Sequence, residues 1–265
     1  MPRKIGIIGC GNMGEAILRA LAGKSRMITV GDADPVKLKK IQKKYRIKAQ
    51  GDNKTVAAGS SIIILAVKPY DIDKALFEIS GLKLKSKLIL SIAAGITTAH
   101  IEGILKTAVP VIRAMPNMPA IAGAGITAIC PGRYAKASHM KSAKGLLSAI
   151  GDCLVIEEGL IDAVTAISGS GPAYIFYLVE CMIEAAKELG LAEADARRLA
   201  VKTALGSARV LDSTGEPAES LIAKVASKGG TTEAALNIFA SRGLKDIIKE
   251  AIGSAHSRAK ELSRG

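Results

Sequence analysis

Short, almost uninterrupted apolar runs alternate with helical stretches over the first 156 residues of the chain. Runs rich in Ile, Val and Leu are typical of strands buried on both faces, and therefore of a parallel sheet covered by helices. Between the runs, apolar residues recur at helical spacing, as at Met13, Ile17 and Leu21. The predicted strands are Lys4–Ile8, Met27–Val30, Ile62–Ala66, Leu88–Ile92, Val109–Ala114, Gly125–Cys130 and Cys153–Ile156. Right-handed crossovers give a doubly wound, mostly parallel α/β sheet, and we expect the last two strands to pair antiparallel at its edge.

The strand pattern stops near Glu158, and the remainder of the chain has the pattern of helices. In 244–255, apolar residues lie three, four, seven, eight and eleven positions after Leu244, which places them on one face of a helix. Pro217 suits the first turn of a helix, whereas Gly190 and Gly243 suit breaks between helices. We predict two domains, an N-terminal Rossmann domain over 1–158 and an all-helical domain over 159–265. Because the second is unusually apolar for about a hundred residues standing alone, we expect a helix-on-helix dimer interface there.

A glycine-rich turn lies where the first predicted strand meets the first predicted helix. Residues Gly9–Gly14 have the sequence G-C-G-N-M-G, which matches G-x-G-x-x-G. The first glycine permits a tight turn, the second lets a pyrophosphate approach the backbone, and the third lets the helix pack closely on the strand. The helix N-terminus adds unpaired N–H groups. Strand, motif and helix therefore predict dinucleotide binding, and the alternative is a glycine turn that serves packing alone.

The end of the second predicted strand carries a residue that bears on the choice between NADH and NADPH. Asp32 follows Gly14 by eighteen residues, near the spacing of ~20 expected for a carboxylate that binds the ribose hydroxyls. A carboxylate there favours NADH because it would repel a 2′-phosphate, although Lys37, Lys39 and Lys40 lie close enough to weaken that preference. The alternative is that Asp32 serves as a turn or cap residue.

Three other segments have the composition of ligand sites. Ala66–Pro69 and Ala93–Gly95 follow predicted strands, where ligands of open α/β sheets bind, although either could be an ordinary turn. Ser227–Thr232, of sequence S-K-G-G-T-T, precedes a predicted helix. Its glycines and hydroxyls at a helix N-terminus suit the binding of a carboxylate. The alternative is that Thr231 or Thr232 is simply the N-cap of that helix.

Composition and charge exclude several classes of protein. At 265 residues and 49% apolar, the chain is too apolar to be disordered, yet no run approaches the ~20 apolar residues of a membrane span. Without a signal peptide before the first strand, we expect a cytoplasmic protein and no membrane partner. The net charge of +13 would suit a nucleic-acid-binding protein, but the basic residues are dispersed and the chain has only three Phe and five Tyr. We therefore expect no nucleic acid partner. The four cysteines have no metal-type spacing, and we expect no metal.

Five segments, in the same order, make the chain resemble the pyrroline-5-carboxylate reductase family. They are Ile8–Met13, Ala66–Pro69, Arg113–Asn117, Ser168–Tyr174 and Ser227–Thr232, and the likeness runs from residue 4 to about 260. The resemblance implies reduction of Δ1-pyrroline-5-carboxylate to L-proline by NADPH or NADH, the last step of proline biosynthesis. It also implies a helical domain that interleaves with a second copy in a homodimer, which can assemble further into a decamer, a pentamer of dimers.

The resemblance also implies roles for individual residues, which add to those predicted from the motifs. Thr232 is the expected catalytic residue, beside the ring nitrogen of the substrate. The expected substrate-binding residues are Glu158, Ser227, Gly229, Gly230, Thr231 and Thr232. The expected cofactor-binding residues are Ile8, Gly9, Cys10, Gly11, Asn12, Met13, Gly14, Asp32, Asp34, Asn53, Ala66, Val67, Lys68, Pro69, Ile92, Ala93 and Ala94.

The chain departs from the family pattern at three positions. Lys228 stands where many relatives have Pro, and Lys224 where some have Asn. Asp34 stands where NADPH-using relatives often carry Ser or another small polar group, which, with Asp32, puts a preference for NADPH in doubt.

Two other functions remain open on the sequence. Another Rossmann imine or 2-hydroxyacid reductase would usually place a Lys or Asp base on the helix between its domains. Here the predicted helix over Ile175–Glu188 offers Glu180, Glu184 and Lys187 but no matching motif. A non-catalytic protein that senses nucleotides or binds nucleic acid is supported by the net charge alone.

Overall fold

One sheet of eight strands organises the N-terminal half of the chain, as seen in a computed structural model that describes residues 4–23 and 27–264. The strands are β1 (Ile5–Ile8), β2 (Ile28–Gly31), β3 (Lys48–Gln50), β4 (Ile62–Leu65), β5 (Leu88–Ser91), β6 (Val111–Met115), β7 (Gly125–Pro131) and β8 (Gly151–Val155). Their order is β3-β2-β1-β4-β5-β6-β7-β8, and the first six follow the doubly wound order of dinucleotide-binding folds. The predicted Rossmann class is confirmed.

Two details of the sheet differ from the prediction. The antiparallel pair is β6 with β7, where Arg113 lies opposite Cys130, and β8 runs parallel to β7. The prediction that the last two strands pair antiparallel was therefore wrong, because the helix over Ala137–Leu147 supplies the crossover that parallel strands need. Strand β3 was not predicted. It lies at the sheet edge and is not buried, so its sequence, Lys-Ala-Gln, has no apolar run.

Helices cover both faces of this sheet. Those between its strands are α1 (Asn12–Ala22), α2 (Pro35–Tyr45), α3 (Asn53–Ala58), α4 (Ile72–Ile79), α5 (Thr98–Leu105) and α6 (Ala137–Leu147). Two large clusters of buried side chains form most of the core, one on each face, and a small third cluster comprises Ala128, Cys130 and Ile161. Ile7 and Ile8 of β1 belong to different clusters, as do Ile63 and Ile64 of β4, because successive side chains of a strand point to opposite faces. Burial on both faces explains the continuous Ile and Leu of these strands.

The rest of the described chain is helical, as predicted. Its helices are α7 (Ile161–Val164), α8 (Gly171–Glu188), α9 (Glu193–Thr214), α10 (Ala218–Val225), α11 (Thr231–Ser241) and α12 (Leu244–Arg264). Gly190 and Gly243 separate helices with φ values of +92° and +68°, and Pro217 is the N-cap of α10.

Internal contacts group the chain into two compact units. One comprises the residues up to Ser170 with those from Ala255 onward, and the other is Gly171–Ser254. The domain boundary at 158/159 stays a prediction.

The helical unit exposes an extensive apolar surface. Helices α8 and α9 pack together, yet Ile175, Phe176 and Tyr177 of α8 and Leu199 of α9 are each more than half exposed. By length and composition alone, the stretch Glu158–Glu188 could cross a membrane, and only 6% of its apolar window is buried. An apolar surface of this extent is typical of a face that another molecule covers.

Candidate functional site

The glycine turn Gly9–Gly14 lies at the carboxyl end of β1, in the middle of the sheet where the strand order reverses. Gly9 has a φ of +95°, and a Cβ there would lie 2.7 Å from the backbone of Ala66. A Cβ on Gly14 would collide with the carbonyl oxygen of Gly9, so a larger residue would push α1 away from β1. A Cβ on Gly11 would meet no atom of the described residues within 4 Å. Each glycine therefore has the surroundings that its predicted role requires.

The space beside this turn fits the pyrophosphate of a dinucleotide. Gly11 is the N-cap of α1, and no side chain of the described residues caps that helix end. Its first N–H groups and the positive end of its dipole are therefore available to an anion. A cavity of about 400 Å³ adjoins the turn, and the residues predicted for the cofactor that line it are Gly9, Gly11, Asp32, Asn53, Ala66, Val67 and Lys68.

Asp32 lies directly after β2 and joins that strand to the glycine turn. Its Oδ2 accepts hydrogen bonds from the N–H of Cys10 at 2.7 Å and from Nζ of Lys37 at 2.9 Å. Its Oδ1 accepts one from the N–H of Asp34 at 3.0 Å. Burial raises the pKa of Asp32, but the hydrogen bonds from Lys37, Asp34 and Cys10 outweigh it and hold that pKa below its ordinary value. The carboxylate is therefore ionised at neutral pH and faces the cavity.

Asp34 caps the N-terminus of the next helix, α2. Its Oδ1 accepts hydrogen bonds from the N–H groups of Val36 at 2.8 Å and Lys37 at 3.1 Å, which makes it the N-cap of α2. The cap of α2 is therefore Asp34. Asp32 has the turn role that the sequence left open, through its bond from the N–H of Asp34, and it also lines the cavity.

Some other residues predicted for the cofactor are not among those that line the cavity. Ile8 and Cys10 are buried in the core, which leaves their peptide groups rather than their side chains to meet a ligand at the turn. Burial and the charge of Asp32 raise the pKa of the Cys10 thiol to about 12, which keeps it protonated. Asn12 and Met13 begin α1 and are not among the residues lining the cavity. The segments 66–69 and 92–94 follow β4 and β5, neighbouring parallel strands.

A polar cluster that the sequence pattern did not predict surrounds Glu158 and includes a buried arginine. The Arg113 side chain is 3% exposed, with Nη1 3.4 Å from Oε1 of Glu158 and Nη2 3.8 Å from Oδ1 of Asp162. Thr98 donates to Glu158 from its N–H at 2.8 Å and its hydroxyl at 2.6 Å, and Ser263 donates to Asp162 at 2.7 Å. These bonds hold both oxygens of Glu158 within the fold, and its predicted contact with substrate stays a prediction.

In the helical unit, the loop Ser227–Thr232 leads into α11. Gly229 has a φ of +72°, and Gly230 is the N-cap of the helix, which begins at Thr231. The alternative that Thr231 or Thr232 is the N-cap was therefore wrong, because both lie inside the first turn. Within the described residues no side chain caps this helix end, which leaves its N–H groups available.

This loop already binds one carboxylate of the chain. The N–H of Gly229 donates to Oε2 of Glu233 at 2.6 Å. Lys228 is exposed beside it, whereas Lys224 forms an ion pair with Glu216 at 2.5 Å. The backbone N–H groups, the helix dipole and the nearby lysine together suit a small anionic ligand.

Two family models match the chain, one in each half. Residues 158–262 match the model described as pyrroline-5-carboxylate reductase dimerisation. Residues 4–95 match the model described as NADP oxidoreductase, coenzyme F420-dependent.

Individual relatives match over the full length. The pyrroline-5-carboxylate reductase of Synechocystis sp. is 38% identical over 269 residues, covering 100% of both chains. The solved structure of the Coxiella burnetii enzyme is 34% identical, with a TM-score of 0.92 over 99% of each chain. That of Plasmodium falciparum pyrroline carboxylate reductase, with NADP bound, is 26% identical, with a TM-score of 0.89 over 98% of each chain. The chain therefore belongs to the pyrroline-5-carboxylate reductase family, as its five motifs predicted.

Proposed function

We propose that this protein reduces Δ1-pyrroline-5-carboxylate to L-proline with NADPH or NADH, as the last step of proline biosynthesis. The observation that carries the proposal is the full-length match to reductases of that name. The glycine turn and the carboxylate-binding loop supply the two kinds of site that the reaction requires.

The cofactor is held by the first compact unit. The turn Gly9–Gly14 and the N-terminus of α1 bind the pyrophosphate, and Asp32 lies where the adenine ribose binds. The segments 66–69 and 92–94, together with Asn53, line the remainder of the cofactor site. The bound nicotinamide supplies the hydride that reduces the imine carbon.

The substrate is held by the loop Ser227–Thr232. Its N–H groups bind the substrate carboxylate, which takes the place of the Glu233 carboxylate on Gly229. The hydroxyl of Thr232 forms a hydrogen bond to the ring nitrogen as the imine becomes an amine. A protonated cyclic imine is already electrophilic, so the main contribution of the chain is to orient the substrate.

Absorbance of the reduced cofactor tests this function. With synthetic Δ1-pyrroline-5-carboxylate at neutral pH, we expect oxidation of NADPH or NADH and formation of an equal amount of proline. The control omits the imine and should show no oxidation. If other cyclic imines or 2-keto acids are reduced and Δ1-pyrroline-5-carboxylate is not, the protein is a different Rossmann reductase.

The apolar surface of the helical unit is covered by a second copy of the chain. The dimerisation match over 158–262 spans the exposed apolar face of α8 and supports this assignment. The protein is then a cytoplasmic homodimer that can assemble into a decamer of five dimers, with neither a membrane nor a nucleic acid as partner.

Two phenylalanines on different units offer a matched test of that interface. Phe176 on α8 is 56% exposed, and Phe77 on α4 is 64% exposed. In analytical ultracentrifugation without detergent, we expect the native protein to have a molecular mass at least twice the 27.5 kDa of one chain. The Phe176→Asp variant should weaken association about thirtyfold or more, as charge in an apolar interface does, while Phe77→Asp should not. A native monomer, or equal effects of the two variants, would contradict the assignment.

A further inference from the structure

Helix α2 carries five lysines, all within the described residues, and Lys37 is the one that lines the dinucleotide cavity. Its side chain is 34% exposed, and its Nζ lies 2.9 Å from Oδ2 of Asp32. Lys39 and Lys40, two and three residues further along, are exposed. The cavity therefore holds a carboxylate and an ammonium group in contact.

We infer that Lys37 determines whether the enzyme accepts NADPH, by binding the 2′-phosphate at a site whose carboxylate, Asp32, would otherwise select NADH. This inference rests on the proposed function and deepens it, since it concerns the choice of cofactor.

The carboxylates at the site oppose the binding of a 2′-phosphate unless a cation lies beside them. Lys68 and Lys74 also line the cavity, but among the described residues the ion pair with Asp32 is formed by Lys37. A phosphate monoester carries nearly two negative charges at neutral pH. Asp32 is ionised, and its side chain is only 13% exposed, so little solvent screens its repulsion of a phosphate. Asp34, two residues after Asp32, is exposed, and its carboxylate adds to the repulsion of a phosphate. The ammonium group of Lys37 is the cation in contact with Asp32 and offsets its charge.

The geometry lets Lys37 serve both carboxylate and phosphate. An ammonium group has three donors, and one of them is used by Asp32. The backbone of Lys37 is fixed in the first turn of α2 by its bond to Asp34, while its long side chain extends into the cavity wall. The remaining donors can reach phosphate oxygens while the bond to Asp32 persists. With NADH, Oδ1 of Asp32, which accepts one bond from the N–H of Asp34, can accept a second from a ribose hydroxyl.

Binding of two adenosine nucleotides, measured by calorimetry, isolates this effect from catalysis. The probes are 2′,5′-ADP and 5′-AMP, which differ only in the 2′-phosphate. We expect Lys37→Met to weaken 2′,5′-ADP about tenfold or more, as loss of a charge-assisted hydrogen bond does, and to change 5′-AMP less than twofold. Lys39→Met removes the same charge from the same helix and should leave both affinities unchanged. The ratio of kcat/KM for NADPH over NADH should fall in Lys37→Met alone.

Two results would contradict the role of Lys37, and a third would contradict the proposed function as well. Equal weakening of both nucleotides by Lys37→Met would mean that Lys37 merely supports Asp32 and the glycine turn. No change in either affinity would mean that it has no part in cofactor choice. If neither nucleotide binds the native protein, the dinucleotide site itself, and with it the proposed function, is wrong.

Discussion

Replacing Thr232 with alanine is expected to lower kcat about ten- to a thousandfold, the range that follows from losing one well-placed hydrogen bond in the transition state. Thr232 is half-buried in the first turn of α11, at the end of the Ser227–Thr232 segment that we propose to bind the substrate carboxylate. Because the loop backbone is unchanged in the variant, we expect KM to change far less than kcat. Steady-state kinetics with Δ1-pyrroline-5-carboxylate measures both.

Two conservative variants separate the hydroxyl from the shape of the side chain. Thr232→Ser keeps the hydroxyl and should retain most of the turnover, whereas Thr232→Val keeps the shape and should resemble alanine. Native turnover in Thr232→Val would remove Thr232 from the mechanism.

A side chain at Gly11 is expected to lower dinucleotide affinity at least about a hundredfold while leaving the fold intact. It would keep the pyrophosphate away from the backbone N–H groups of the turn, and several hydrogen bonds would be lost. Gly11 has φ −62° and ψ −176°, an extended conformation that any residue adopts. Its Cβ would enter the open space beside the turn rather than a neighbour. We therefore expect Gly11→Val to remain folded, with its urea midpoint lowered by no more than the small cost of an apolar N-cap, and to fail to bind NADPH by calorimetry.

Two other glycines serve as controls for this experiment. Gly14→Ala places its Cβ against the carbonyl oxygen of Gly9 and should lower the free energy of unfolding by about 1–3 kcal/mol, the usual effect of overpacking. Gly103→Ala, on α5, has no described atom within 4 Å of its Cβ and should bind the cofactor normally. Native affinity in Gly11→Val would show that the pyrophosphate does not approach this turn.

The apolar pattern predicted which strands are buried, but it did not predict in which direction each strand runs in the sheet. The apolar run over Ile62–Ala66 predicted β4, which spans Ile62–Leu65, because both faces of that strand are covered. The direction of β7 depends on its connections, which the apolar pattern does not encode. Nine residues separate β6 from β7, too few for a crossover, so the chain returns antiparallel. The edge strand β3 has no buried face and therefore left no apolar signal.

In the candidate site, features formed by neighbouring residues could be predicted from the sequence, whereas features formed by residues far apart in the chain could not. The glycine turn was predictable because its residues are contiguous and have the spacing of a known motif. Gly9 and Gly14 have close backbone neighbours, whereas Gly11 faces open space. The cluster around Arg113 was not, since Thr98 and Glu158 are separated by 60 residues and Asp162 and Ser263 by 101. An arginine inside an apolar strand was its one signal, because a buried cation needs carboxylate partners. The Lys37–Asp32 pair spans five residues, but only the structure shows the contact.

The most direct test of the central claim follows the hydrogen atom itself. The native enzyme would be incubated with Δ1-pyrroline-5-carboxylate and NADPH carrying deuterium at nicotinamide C4, on each face in separate samples, and the proline examined by mass spectrometry and NMR. We expect proline with one deuterium at C5, the former imine carbon, from one of the two labelled cofactors. Proline without deuterium from both samples, or no proline from an enzyme that binds NADPH, would contradict the account.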